Sequence, residues 1–538
     1  MNLVRILSLF IIFCNIITKS FGAEKKIDVT TVNQLKNALN EKTNVIINIK
    51  NNIVVDDVDK LQLGNSIKKV TIKGVSPSTS KLSFSHYSGG IYFNQHVNEI
   101  NISDITLDSS MTFFSNENIL FNNVVIDDGE YFFNMTMINN NNITITNSRF
   151  NPPKVEKTYY MTLYQAYLYI DNTQFYGNKN LKNGMIHIKN EKNFLAYGKF
   201  HLNNVLLSGG YEARFFEINN VKEIIFANSE VKNALSRTNQ SGNINFNKCN
   251  DIYVRDVNFH DNYSVTNGGS LYLYKVLVSR LDNLMFVNST AYMTGGAIAF
   301  QTERIDHSDA IIKNVTVKDG YNYDSINSRG QVFSLNGYIN IEIEDLYCEN
   351  FKSYNSDGPL IFINGDVKMI MKNVYAKKIY GNGVGSLFIN TVNTNDFQIH
   401  AQNITISDAY IKSYQNTAVF LWLMGGTFTG TNININNVGG DYTSIRISSI
   451  SSISISSISI SSSKSITKFV NLNVDGFETK ESLPLILNDG YNNAQNTLEI
   501  QDSFITNVYS NGALILLQDT RGLMKNSTVI DILKQITY

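Results

Sequence analysis

The chain has little of several residue types that usually constrain a fold or a site. Its 538 residues include three cysteines, one tryptophan, five prolines and seven histidines. So few cysteines exclude a small domain held together by disulfides. The histidines are scattered and lack the HxH or HxxxH spacing of a zinc site. The scarcity of proline suits a strand-rich chain, because proline removes a hydrogen bond from a sheet.

The chain also lacks an excess of either charge. Lys and Arg number 45 and Asp and Glu number 46, so we predict no nucleic-acid partner and no basic surface for anionic lipid. A mostly apolar stretch of 12 residues, 6–17, follows Arg5 and precedes Ser20-Phe21-Gly22. It is too short to span a bilayer and is typical of a secretion signal, which we predict over residues 1–22. We therefore expect an exported chain with no membrane span.

What the chain does contain is a repeat, in which a small residue, usually glycine, precedes an aliphatic one. The repeat occurs at residues 183–186, 241–244, 268–271, 295–298, 329–332, 357–360, 383–387 and 511–514. From Gly242 to Gly385 the intervals are 27, 27, 34, 28 and 27 residues. A fixed period in this range is typical of stacked repeats, in which each coil contacts only its neighbours.

A second repeated pattern consists of short strand-like phrases that end in Asn or Asp. Examples occupy residues 105–108, 124–127, 143–147, 252–256, 341–345 and 498–502. Asn and Asp tolerate the left-handed backbone conformation and therefore suit tight turns between strands. From about residue 45 onward no helical period separates these phrases.

Together the two patterns predict an all-β parallel β-helix over residues 45–538. Equivalent residues of successive coils would stack, with an apolar column inside and ladders of Asn side chains at the turns. A leucine-rich repeat is disfavoured because its leucine pattern and helical segments do not recur. A β-sandwich is disfavoured because the Asn-Gly pairs lie at coil spacing, not every 8 to 12 residues.

Residues 23–44 are predicted to cap the first coil with a short helix. Thr31 and Gln34 have the spacing of a capping box. The apolar residues that share one face of this helix are Val32, Leu35 and Leu39. Such a cap would hide the apolar end and the unpaired edge of the stacked strands.

Two further features concern the predicted β-helix. A Ser/Ile repeat near residues 446–467 is interpreted as a low-complexity insertion, because a slip of five residues restores its pattern.

Cys249 and Cys348 lie 99 residues, or three to four coils, apart. At about 4.8 Å per coil they are too distant for a disulfide, which needs Cα atoms within roughly 7 Å. We predict two buried free thiols.

The mature chain resembles the right-handed parallel β-helix, or pectin-lyase-like, superfamily. Residues 29–39 followed by residues 44–49 look like the helical cap and first strand of pectate-lyase-type proteins. The resemblance implies a right-handed single-stranded parallel β-helix solenoid. Residues 175–178 and 259–262, each followed by a glycine-aliphatic phrase, are similar to the FxxN and GG-aliphatic repeats of polymorphic outer-membrane-protein adhesins.

The catalytic residues of the lyases do not carry over. Those enzymes have a Trp-Ile-Asp-His phrase, whereas the single tryptophan here, Trp422, has neither Asp nor His beside it. Ser148-Arg149 only faintly matches the lyase arginine motif. We therefore assign no catalytic, cofactor-binding or metal-binding residue. The acidic pairs near Asp56 and Asp127 are interpreted as solvated turn carboxylates, with calcium as the open alternative.

Two groups of residues remain as candidate contact or modification sites. Four tyrosines crowd one segment, and their rings are candidates for glycan contact, although stacking in the core or in ladders is the favoured interpretation. They are Tyr159, Tyr160, Tyr164 and Tyr167. The asparagines in N-glycosylation sequons are Asn101, Asn134, Asn142, Asn239, Asn262, Asn288, Asn314, Asn403 and Asn526.

We predict a non-enzymatic secreted or cell-surface β-helix protein for adhesion or recognition of an extracellular glycan or protein surface. One alternative is a divergent polysaccharide lyase or hydrolase of the same fold. Three acidic residues and an arginine converging on one face would favour that alternative. The other alternative is the ectodomain of a longer membrane receptor.

Overall fold

The structure is a computed structural model, in which the described residues form a chain of short strands and one helix. The described residues are 24–86, 88–127, 135–139, 142–165, 167–190, 196–237, 242–303, 306–321, 328–354, 356–357, 360–382, 388–391, 397–412, 418–440, 443–448, 466–479, 485–489, 496–509, 514–518, 520–530 and 532–533. The predicted signal at 1–22 and most of the Ser/Ile repeat lie outside them.

The described residues divide into two compact units. Unit 1 comprises the described part of residues 1–176 together with 180–182 and 198–200. Unit 2 comprises 177–179, 183–197 and the described part of 201–538. Each unit by itself is a solenoid of parallel strands, so the predicted fold class, a parallel β-helix, is confirmed. A single domain over residues 45–538 stays a prediction.

The only helix of the described residues is α1, Val32–Leu39. Thr31 is its N-cap, and its hydroxyl oxygen accepts a 3.3 Å hydrogen bond from the backbone N–H of Gln34. The Gln34 side chain accepts one in return from the backbone N–H of Thr31, at 3.2 Å. The buried residues of α1 are Leu35, Ala38 and Leu39. The predicted capping box and short amphipathic helix are therefore confirmed.

In unit 1, strands of one coil pair in parallel with those of the next. Its strands are β1 Lys25–Val29, β2 Val45–Ile49, β3 Ile53–Val55, β4 Lys60–Gln62, β5 Lys69–Gly74, β6 Lys81–Phe84, β7 Gly90–Phe93, β8 Glu99–Asp108, β9 Ser110–Phe114, β10 Asn118–Ile126, β11 Met135–Ile138, β12 Asn142–Thr146, β13 Arg149–Phe150, β14 Met161–Tyr164 and β15 Tyr167–Tyr176. One buried column of paired residues is Ile47, Ile72, Ile102, Phe121, Ile145 and Ile170.

Unit 1 also contains a strand that the sequence analysis did not predict. β1 precedes α1 and pairs in parallel with β2, with Ile27 opposite Ile47. The cap region therefore supplies the first rung of strands as well as the helix.

The strands from residue 186 onward repeat the arrangement over more coils. They are β16 Ile186–Lys189, β17 Lys199–Ser208, β18 Phe216–Asn219, β19 Glu223–Lys232, β20 Leu235–Ser236, β21 Ile244–Asn247, β22 Asp251–Ser264, β23 Leu271–Tyr274, β24 Val278–Ala291, β25 Ile298–Gln301, β26 Ser308–Lys318, β27 Ser328–Arg329, β28 Phe333–Asn336, β29 Ile339–Tyr354, β30 Ser356–Asp357, β31 Ile361–Asn364, β32 Val367–Asn382, β33 Ile389–Thr391, β34 Gln398–Lys412, β35 Ala418–Met424, β36 Thr427–Gly440, β37 Thr443–Ser448, β38 Ile466–Thr479, β39 Ile486–Asp489, β40 Asn496–Gln501, β41 Phe504–Tyr509, β42 Ile515–Gln518, β43 Thr520–Lys525, β44 Thr528–Val529 and β45 Ile532–Leu533.

The glycine-aliphatic repeat sets the register of unit 2. Ile244, Leu271 and Ile298 pair directly across successive coils and are fully buried. The glycine before each strand has a positive φ, 66° at Gly268 and 67° at Gly295. A Cβ on Gly295 would lie 2.5 Å from the carbonyl oxygen of Ile298, so only glycine fits there.

The Asn and Asp residues that end the strand phrases form ladders at the bends. Most non-glycine residues with positive φ are Asn or Asp, including Asn373, Asn403 and Asn432 at 56° each. Asn403 donates a 2.9 Å hydrogen bond to Oδ1 of Asn373, and Asn432 donates a 2.9 Å bond to Oδ1 of Asn403. The predicted side-chain ladders are thus present.

Both cysteines of the described chain are free and buried, as predicted. Burial raises the pKa of the Cys249 thiol to about 12, and it raises the pKa of the Cys348 thiol as well. In the described part of the chain, no helix is long and apolar enough to cross a membrane.

A tyrosine-lined groove as the candidate functional site

The four tyrosines predicted to contact a glycan do not form one surface. Tyr160 is fully buried and Tyr159 is 7% exposed. The Tyr160 hydroxyl donates to the backbone carbonyl of Tyr176 at 2.8 Å. These two residues belong to the core, and their assignment as glycan contacts is wrong because neither ring reaches the surface. Tyr164 and Tyr167 are half-buried, so the prediction stays open only for them.

The sequon asparagines fall into distinct environments. Asn262 is fully buried, and its amide donates to the carbonyl of Val231 and to the hydroxyl of Ser270, each at 3.2 Å. No glycan fits on that side chain in the folded coil. Exposed sequon asparagines are Asn142, Asn288, Asn314, Asn403 and Asn526, and Asn101 is half-buried. Asn134 and Asn239 lie outside the described residues.

The acidic pairs considered for calcium have protein partners. Asp56 lies 3.1 Å from Nε2 of His86, and Asp57 lies 2.9 Å from Nζ of Lys36. Oδ2 of Asp127 lies 3.6 Å from Nζ of Lys81. Within the described ranges no group of three or more His, Cys, Asp or Glu could hold a metal ion.

The structure instead brings together a groove that sequence analysis did not identify. It lies in unit 2, has a volume of about 450 Å³, and is lined by β32, β34, β36, β38 and β41. Its central column contributes one residue per coil, and register places these residues side by side. The column is Tyr380, Tyr410, Gly439, Glu478 and Tyr509. Tyr380 is 50% exposed and Tyr509 is 47% exposed, so both rings face solvent.

Gly439 forms the floor of this groove. Its φ is not positive, so the backbone conformation does not require glycine there. An ideal Cβ at this position would lie 3.1 Å from Cδ2 of Tyr410. The Tyr410 ring therefore lies over Gly439, which is buried, and the missing side chain leaves room for that ring.

A local signal in the sequence marks this column. Each column residue stands two positions after a bend residue, and a buried apolar residue separates the two. The bend residues are Lys378, Asp408, Asn437, Gly476 and Asn507, and each has a positive φ. The buried residues between are Ile379, Ala409, Val438, Phe477 and Val508. Because strand residues alternate in direction, this offset places the column on the outer surface.

The lysine in the groove has an oppositely charged partner outside it. Nζ of Lys378 lies 3.3 Å from Oε1 of Glu349, which is outside the groove. A 2.8 Å hydrogen bond from the Tyr347 hydroxyl lowers the pKa of Glu349 to about 2, with help from the lysines. Glu349 therefore stays ionised and is a charge partner of Lys378.

The two carboxylates in the groove have no cationic partner in the part of the chain that the structure describes. Asp408 accepts a 2.8 Å hydrogen bond from the amide of Asn437. Glu478 is exposed and forms no ion pair with a described residue. The groove thus combines aromatic rings with two carboxylates.

A second groove in unit 2 is larger but differs in character. Its volume is about 770 Å³, and it exposes Ile311 and Ile370 between charged residues that include Arg280 and Glu342. No tyrosine, tryptophan or phenylalanine is among the described residues that line it. The tyrosine-lined groove is therefore the stronger candidate for a ligand with flat apolar faces.

Comparison with known proteins gives only distant similarities. No protein-family model matches the chain, and no curated protein sequence matches it. The structure is similar to the catalytic domain of the GH87 α-1,3-glucanase in complex with nigerose, with 13% identity, a TM-score of 0.29, and coverage of 88% of this chain and 67% of that one. It is similar to PfbA, a surface adhesin of Streptococcus pneumoniae, with 12% identity, a TM-score of 0.30, and coverage of 70% and 86%.

A third similarity is to the PL6 family alginate lyase AlyGC, with 9% identity, a TM-score of 0.27, and coverage of 95% of this chain and 100% of that chain. These values are too low to assign a function. The similarity to polymorphic outer-membrane-protein adhesins is not confirmed. The parallel β-helix itself is established by the strand pairing within each unit.

Proposed function

We propose that this chain is a secreted or cell-surface recognition protein that binds a polysaccharide through the tyrosine-lined groove. The observation that carries the proposal is the column of Tyr380, Tyr410 and Tyr509, interrupted at Gly439. Tyrosine offers an apolar ring face and a polar hydroxyl, the combination that suits a sugar.

Two further features support binding over catalysis. The groove is open, in that Tyr380, Glu478 and Tyr509 of its column are exposed above a buried layer. Its position along successive coils suits a chain-like ligand, because equivalent residues recur about every 4.8 Å. The two carboxylates keep hydrolysis as the alternative activity, since glycosidases use such pairs.

The test is a glycan array that carries neutral, amino and uronic oligosaccharides, probed with the purified protein and with groove variants. We expect binding of at least one polysaccharide class and about tenfold weaker binding for Y380A and Y509A. The variant G439A should also bind more weakly, because the added methyl group would displace the Tyr410 ring. Y292A is the matched control, since Tyr292 is 41% exposed and lies outside the groove.

Two results would contradict the proposal. Equal loss of binding in Y292A and Y380A would show that the groove is not the binding site. Release of shortened or unsaturated sugars from a bound polysaccharide would establish the enzyme alternative instead.

A further inference from the structure

The charges of the tyrosine-lined groove carry information about the ligand beyond its being a polysaccharide. The groove has one cation and two anions on its lining: Lys378, Asp408 and Glu478. Lys378 forms an ion pair with a residue outside the groove, since its ammonium lies 3.3 Å from Glu349. Glu349 is also contacted by Lys377, at 3.4 Å, and by the Tyr347 hydroxyl at 2.8 Å. Lys378 thus contacts a carboxylate outside the groove, while its side chain stays 55% exposed.

The two anions lack such compensation. Asp408 is exposed and is contacted by the neutral amide of Asn437, which leaves its charge in place. Glu478 is exposed, follows Gly439 in the column, and makes no ion pair with any described residue. A sugar bound along the column would therefore meet the Tyr410 ring and the Glu478 carboxylate, which both line the groove.

This arrangement discriminates between classes of polysaccharide. A uronic acid polymer would bring carboxylates against Asp408 and Glu478, and like charges repel. A neutral polymer would use the rings but leave both carboxylates without a cation. A polymer with protonated amines would use the rings and also supply a charged donor for each carboxylate.

We propose that the tyrosine-lined groove selects a polysaccharide that carries free amino groups, such as a glucosamine polymer, over its acetylated or acidic counterparts. This inference rests on the proposed function. It assigns Glu478 and Asp408 as specificity-determining residues, while the tyrosines supply affinity that is common to all three classes.

The test compares hexamers of glucosamine and N-acetylglucosamine with the same linkage, because acetylation removes the charge. Calorimetric titration in mildly acidic buffer should give about threefold to tenfold tighter binding of the glucosamine hexamer. E478Q and D408N should each reduce that preference, so that the ratio of the two affinities approaches one. Asn is tolerated at position 408 because Asn437 has the same left-handed conformation one coil later.

Two controls separate groove binding from general attraction of a polycation. E117Q removes an exposed carboxylate in unit 1 and should leave the preference intact. G439A should weaken binding of both hexamers. An unchanged affinity of G439A for the glucosamine hexamer would place binding elsewhere and overturn the inference.

The outcomes distinguish the inference from the proposed function. Equal binding of the two hexamers, or tighter binding of a uronic oligosaccharide, would overturn the amine preference while groove binding stands. Absence of binding to every sugar class on the array would overturn the proposed function, and the inference with it.

Discussion

The side-chain amide of Asn403 donates a 2.9 Å hydrogen bond to Oδ1 of Asn373 in the preceding coil. Both residues have φ of 56°, so the same side chain tolerates the bend and ties it to its neighbour. Asn403 in turn accepts a 2.9 Å bond from Asn432. The ladder therefore combines a conformational and a hydrogen-bonding role in each residue.

Replacement of Asn403 tests these two roles. N403A removes both hydrogen bonds, worth about 1 kcal/mol together at an exposed position, and adds about 1 kcal/mol of left-handed strain. N403G removes the bonds without the strain. Urea denaturation followed by circular dichroism should give a larger loss of unfolding free energy for N403A than for N403G. Equal losses would show that the left-handed conformation is not a source of strain.

Alanine substitutions should distinguish a glycine that the backbone conformation requires, Gly295, from one that it does not, Gly439. G295A places a methyl group 2.5 Å from a carbonyl oxygen at φ of 67°, so we expect it to lower the unfolding free energy by about 1–3 kcal/mol. G439A adds the same group in a strand without positive φ and should leave stability within about 0.5 kcal/mol. Thermal and urea unfolding of the two variants checks this. A destabilised G439A would mean that the groove floor also serves packing.

The two cysteines should be unreactive in the folded protein. Cys249 is fully buried, its thiol lies 3.6 Å from the carbonyl of Ile218, and its pKa is raised to about 12. Thiolate is the reactive form, so a raised pKa suppresses reaction at neutral and mildly alkaline pH. Ellman's reagent should label neither Cys249 nor Cys348 until denaturant is added. Rapid labelling without denaturant would contradict their burial.

Glycosylation, if the chain is secreted from a eukaryotic host, should follow exposure. Asn262 is fully buried with three hydrogen bonds to its side chain, whereas Asn142 and Asn526 are exposed. Glycopeptide mapping of the folded protein should find no glycan at Asn262 and should find glycans only among the accessible sequons. A glycan at Asn262 in soluble folded protein would contradict the placement of that side chain.

The fold was largely predictable because its determinants are local and repeated. The glycine before each strand and the Asn at each bend recur at coil spacing, and Thr31 with Gln34 marks the start of α1 directly. β1 was not predicted because it lies before the helix, where no earlier coil supplies a repeat. Tyr160 was misassigned because it precedes β14 and turns inward, outside the alternation of the strand.

The candidate site was not predictable in the same way. Tyr410, Gly439 and Glu478 are 29 and 39 residues apart, and only the strand register brings them side by side. The interval from Gly439 to Glu478 includes the Ser/Ile repeat, which obscures the spacing. The absence of a side chain at Gly439 also has no signature in the sequence, since glycine at a bend and glycine at a floor look alike.

Gly268 and Gly295 occupy equivalent places in consecutive coils, and each coil contacts mainly the ones beside it. Excision or duplication of one such 27-residue segment would therefore rejoin matching ends. The number of coils in this molecule can therefore change by whole repeats, which would give longer or shorter solenoids without redesign of the junctions.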